Sequence, residues 1–250
     1  MEVMEVMELA AVIETGAAAL LFAATFLLGD RVRPFQALVS SRSIVSFGGG
    51  MAAAYVFMHV MPELHGVRVA FAESVSAPLP YEGKAIYFFS LAGFLAFYGL
   101  DHLHAQLRET EASGETGRAF RFHVGGFAAY VWLIAYLLVR SIEKSETSTV
   151  LYAVAIAFHL LSLTHDLSNE YGAAYQRVGR FVLAGAALLG WGCGLLFALP
   201  GSMVTLLLAF ISGAVIMNSL IMELPAEKDG RFWPFIAGGL LYGVILWPLS

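Results

Sequence analysis

Eight stretches of this chain are each long and apolar enough to cross a bilayer, and that single property removes most folds from consideration. A helical span needs roughly 17–25 mostly apolar residues, because the hydrocarbon layer is about 30 Å thick and a helix rises 1.5 Å per residue. The stretches lie near 8–28, 43–62, 85–104, 121–139, 150–168, 180–199, 203–224 and 232–249. Of the 250 residues 59% are hydrophobic and 13% charged, against about 45–50% and about 25% in ordinary soluble domains. Only lipid can cover so much apolar surface. The expected architecture is an all-α integral membrane protein, one polytopic domain over residues 1–250, in a plasma or inner membrane.

Charge sets the orientation. The connections after the odd-numbered spans hold ten basic residues: Arg31, Arg33, Arg42, Arg108, Arg118, Arg121, Arg177, Arg180, Lys228 and Arg231. All remaining segments share four, Arg68, Lys84, Arg140 and Lys144. The positive-inside rule then places both termini on the extracytoplasmic side, which requires an even number of spans. The first residues carry three glutamates and no basic residue, the reverse of a signal peptide, so the first span is expected to be retained. A net charge of −5 with dispersed basic residues argues against nucleic acid as a partner. The lone Cys193 can form neither an internal disulfide nor a thiolate cluster. Any metal must therefore be held by His, Asp, Glu, Asn or Met.

Spans two and seven superpose at one constant offset: Phe47, Gly50 and Pro62 match Phe210, Gly213 and Pro225. The paired segments cross in opposite directions, as in inverted-repeat transporters. The expectation is a 3+2+3 arrangement, with spans one to three mirroring six to eight around a central pair.

An ionisable side chain deep in a bilayer costs about 2.5–3.5 kcal/mol on insertion scales, so each one needs a partner, a wet cavity or a function. Span five places His159, Ser162, Asp166, Asn169 and Glu170 in a stripe on one face, with His165 beside it. Span two ends in His59 and Glu63, adjacent if the helix continues through Pro62; imidazole with carboxylate suits zinc, iron or manganese. Span three ends in Asp101, His102 and His104, which either receive a metal or form a wet helix end. Span four opens on His123 before two glycines, and span seven carries Asn218 and Glu223. Glu14 in span one reads as an isolated buried carboxylate, and the tryptophans and tyrosines as packing and belt residues.

The segment from Gly50 through His59-Val60-Met61-Pro62-Glu63 resembles the ZIP (Zrt-, Irt-like) family of divalent metal transporters, whose Gly-rich second helix ends in His-Leu-x-Pro-Glu. Phe210-Ile211-Ser212-Gly213 and Met222-Glu223-Leu224-Pro225 are similar to the family's seventh helix. The resemblance implies an eight-helix inverted repeat that carries zinc, iron or manganese toward the cytoplasm without a resident cofactor, zinc first. It departs from the family where the metal is expected: of the fourth-helix motif His123 and the glycines remain, and of the fifth-helix motif only His159. The site is then either rebuilt from His159, Asp166 and Asn218, or transport is lost. The expected partners are the metal ion and the lipid bilayer, with a homodimer as one option. The competing readings are an intramembrane metal-dependent hydrolase, for which no nucleophile motif is present, and a non-transporting sensor or scaffold.

Overall fold

In the computed structural model, residues 2–29, 42–74, 82–110, 117–141, 148–218 and 231–247 are described, and all of their regular structure is helical. Eight helices follow in order. Helix α1 is Glu2–Leu28; α2 starts as Arg42–Tyr55, passes through a π turn at Val56–Val60 and runs on as Met61–Ser74; α3 is Glu82–Thr110; α4 is Arg118–Ser141. Then come α5 (Ser148–Tyr171), a second π turn (Tyr175–Gly179), α6 (Arg180–Leu196), α7 (Gly201–Met217) and α8 (Phe232–Leu246). Leu9–Leu28, Lys84–Arg108, Arg118–Arg140 and Tyr175–Leu196 are long and apolar enough to cross a membrane, and α7 and α8 are shorter apolar helices. The chain is thus marked as a multi-pass membrane protein.

The π turn in α2 has a local cause. Pro62 has no N–H to give the carbonyl four residues back, and its ring crowds that carbonyl. The wider turn relieves the clash just upstream, with the Met61 N–H donating to Val56 O. The helix therefore does continue through Pro62.

The helices group into two compact units, Met1–Val32 with Leu100–Ala198 and Arg33–Gly99 with Leu199–Ser250. In the first unit, α6 lies so close to α4 that a methyl on Gly190 would overlap the backbone of Trp132. Trp191 packs over Gly16 of α1 and donates from Nε1 to Thr15 Oγ1 at 3.1 Å. Helix α1 turns its small residues inward, with Thr15, Ala18, Ala19 and Ala23 buried beside Phe22 and Phe26. Leu9, Ile13, Leu20 and Leu28 point outward. Small residues on the buried face let helices approach closely in lipid, where dispersion and close approach replace the hydrophobic effect between helices. Glu14 belongs to the outward side and is exposed, which corrects its expected burial.

In the second unit, α2 crosses α8 and α3 crosses α7 backbone against backbone. A methyl on Gly50 would overlap the carbonyl oxygen of Phe235, and one on Gly238 that of Phe47. At the other crossing, Gly213 lies against the carbonyl of Ser90 and Gly93 against that of Phe210. Such approach favours weak Cα–H···O contacts as well as dispersion. Beyond the π turn, Leu64 of α2 joins Ile86 of α3 and Ala209 of α7 in a small buried cluster.

Candidate metal centre

The site in the first unit is built from three helix ends. Asp101 and His104 stand three residues apart near the end of α3, hence on one face. His102 turns away, exposed, with its Nε2 3.1 Å from Gln106 Nε2. His123 comes from the second turn of α4, and Glu170 and Tyr171 close α5. The chain leaves α5 through Gly172 at φ 47°, a left-handed conformation that costs glycine little. This turn ends the helix at Tyr171.

His104 and His123 are 4% and 3% exposed, and their rings stack at 3.9 Å between centroids and 12° between planes. The Tyr171 hydroxyl bridges them, 2.9 Å from His123 Nδ1 and also hydrogen-bonded to His104 Nε2. A hydroxyl has one proton, so it donates to one ring and accepts from the other. Phe120 packs edge-on against Tyr171, and Phe127 lies against His123. His123 Nε2 is buried without a hydrogen-bond partner among the described residues. A buried ring nitrogen without a partner is a donor or acceptor left free to take a ligand.

Asp101, His104 and His123 each offer a ligand atom, and these atoms lie within 4.8 Å of one another. Around a tetrahedral zinc with bonds of about 2.0–2.1 Å, ligand atoms stand about 3.4 Å apart, so the three must draw closer to hold one ion. An imidazole binds a metal in its ring plane. The stacked pair must therefore splay, and Tyr171 must give up its bridge, before both rings can hold the same ion. Glu170 faces the same nitrogens, with Oε1 3.3 Å from His104 Nε2 and Oε2 3.6 Å from His123 Nδ1. Arg108, one turn beyond His104 on α3, donates from Nη1 to Glu170 Oε1 at 2.5 Å. Two imidazoles with carboxylate oxygen suit zinc, iron or manganese.

The other expected site residues stand elsewhere. His59 lies half-buried in the π turn of α2 and stacks on Tyr55 at 5.2 Å. Glu63 follows on the same helix. His159, half-buried on α5, has its Nε2 3.0 Å from the Tyr130 hydroxyl. Asp166 is exposed on that helix. Asn218 is buried at the end of α7, its Nδ2 without a hydrogen-bond partner among the described residues, and Glu223 lies outside the described residues. Sequence reasoning missed Arg108 and Tyr171 as parts of a site. It counted the arginine as a cytoplasmic loop charge and read the tyrosine as a belt residue.

No protein-family model, curated protein or solved structure matches the chain.

Proposed function

We propose that this protein is a ZIP-like carrier that moves a divalent transition metal, zinc first, across the membrane toward the cytoplasm, with Asp101, His104 and His123 as one binding station on the path. The carrying observation is the cluster itself: two buried imidazoles and a carboxylate within 4.8 Å of one another in a multi-pass membrane protein. Burying such groups near lipid costs free energy that a bound cation can offset. On the charge count, the end of α3 and the start of α4 face the cytoplasm, so this station is the inner one. By their places in the sequence, His159 with Asp166 forms a deeper station on its own span, and His59 with Glu63 lies at the outer end of span two. Ions pass when such stations bind weakly and in sequence.

The helix crossings support the inverted repeat. Phe47 and Gly50 of α2, already matched in sequence to Phe210 and Gly213 of α7, make the same reciprocal contact. In each helix the phenylalanine carbonyl receives a partner glycine, and the glycine receives a partner carbonyl. The partners are Phe235 and Gly238 of α8 in one case and Ser90 and Gly93 of α3 in the other, with the same three-residue spacing. A repeat that exchanges α2 with α7 and α3 with α8 generates one crossing from the other.

A second reading, a metal-dependent membrane hydrolase, draws on Glu170. A carboxylate beside a His-His-Asp group can act as a base toward a metal-bound water. One experiment separates the two. Purified protein in proteoliposomes is tested for uptake of zinc, cadmium, manganese and iron(II), beside a folded His104→Ala variant. Uptake that the variant loses is the expected result. Bound metal without flux, accompanied by turnover of lipid or peptide, would replace the carrier with the hydrolase.

A further inference from the structure

Glu170 is held from two sides. Its Oε1 accepts from Arg108 while standing 3.3 Å from His104 Nε2, and its Oε2 stands 3.6 Å from His123 Nδ1. Those two spacings are close to the edge of about 3.4 Å expected between ligand atoms of a tetrahedral zinc. The carboxylate is therefore a neighbour of one ring nitrogen of each imidazole, beside the Asp101, His104 and His123 group. The guanidinium that holds it is tethered to the site by geometry, because Arg108 follows His104 by one helical turn. Arg108 is 56% exposed along its side chain and Glu170 22%. The arginine can thus swing into water without unfolding anything around it.

We propose that Glu170 is a fourth ligand of this centre and that Arg108 is a built-in competitor for it, so that a divalent ion enters by displacing the guanidinium. The proposal rests on the reading of Asp101, His104 and His123 as metal ligands. Charge counting gives it a direction. Asp101 and Glu170 balance one divalent ion, and Arg108 adds a surplus positive charge beside it. Breaking the charge-assisted hydrogen bond that Arg108 gives Glu170, which the ion must do before it can use that carboxylate, weakens binding about tenfold. The same charge returns to Glu170 when the ion leaves, so the carboxylate is not left unpaired at any stage. A station made in this way binds weakly and releases readily, as conduction requires.

The test is a titration of the purified full chain in detergent with cobalt(II), followed by its visible absorption, and with zinc(II) by competition. The variants are Arg108→Gln, Arg108→Lys, Glu170→Gln and the Arg108→Gln/Glu170→Gln double substitution, each checked for folding by its melting curve. The expected result is about tenfold tighter binding in Arg108→Gln, with Arg108→Lys restoring weak binding. Glu170→Gln binds at least tenfold more weakly, and in its background Arg108→Gln gains much less than tenfold. Metal binding by wild type that Arg108→Gln leaves unchanged or weakens overturns the competitor while the metal centre stands. Equal gains with and without Glu170 also overturn it, because they reduce Arg108 to a distant charge. Binding by Arg108→Gln alone would support it in its strongest form. Failure of both wild type and Arg108→Gln to bind either metal overturns the competitor and the metal centre together.

Discussion

Helix α6 carries two glycines five residues apart whose surroundings differ completely, and replacing each with alanine should move stability in opposite directions. At Gly185 an added methyl has nothing within 4 Å. Alanine there gains about 1 kcal/mol of helix propensity over glycine and meets no obstacle. At Gly190 the methyl would overlap the carbonyl oxygen of Trp132, with the carbonyl carbon at 2.9 Å and Cα at 3.0 Å. All three atoms are backbone, so no rotamer change can clear them. The α4 and α6 helices must move apart by roughly 1 Å to restore ordinary contact, an overpacking that costs about 1–3 kcal/mol. Separation also loosens Gly194 from Val139. After subtracting the propensity gain, Gly190→Ala should lie up to about 2 kcal/mol below wild type and Gly185→Ala up to about 1 kcal/mol above it. For a chain of this size 1 kcal/mol corresponds to about 2–4 °C in Tm, so the two variants should differ by several degrees. Thermal melting in one detergent, read by loss of the monodisperse peak, resolves that difference. Equal melting temperatures, or a higher one for Gly190→Ala, would refute the backbone crossing of α4 and α6.

His104→Ala and His123→Ala should each weaken cobalt(II) binding by about a hundredfold or more, since loss of even an outer partner of a metal ligand costs about 10–100-fold. His102→Ala should leave it within about twofold; isothermal titration distinguishes the cases. Trp191→Phe removes the donor to Thr15 that ties α6 to α1 and should lower stability by about 1 kcal/mol, visible as a small drop in Tm with metal affinity unchanged. A reporter fused after Ser250 should be extracytoplasmic; a cytoplasmic signal would contradict the orientation read from the lysine and arginine distribution.

The helices were legible because their cause is local. Each expected span, from 8–28 to 232–249, overlaps one of the eight helices among the described residues, and four of those helices are long and apolar enough to cross a membrane. Orientation of a helix about its own axis was not legible. Helix α1 is apolar nearly all round, so nothing in its pattern marks an inner face, and Glu14 lies on the exposed side while Thr15, Ala18, Ala19 and Ala23 are buried with Phe22 and Phe26. The site was half legible. Asp101 and His104 share a face by spacing alone, and His123 stands out as an imidazole beside an apolar span. Their meeting depends on how α3, α4 and α5 pack, which no spacing within one helix encodes. Arg108 and Tyr171 gave no warning because arginine at a cytoplasmic helix end and tyrosine at a membrane interface are where such residues usually lie.

The crossing of α2 and α8 leaves no side chain between the two backbones at Gly50 and Gly238. Helices separated by side chains can slide as those chains change rotamer, but two backbones in direct contact have no such bearing surface. The stretch of α2 around Phe47 and Gly50 and the stretch of α8 around Phe235 and Gly238 therefore travel as a single plank. Any bending of α2 is displaced along its axis to the next place where the hydrogen-bond ladder is already irregular. That place is the π turn at Val56–Val60, so the residue that rides on the pivot is His59.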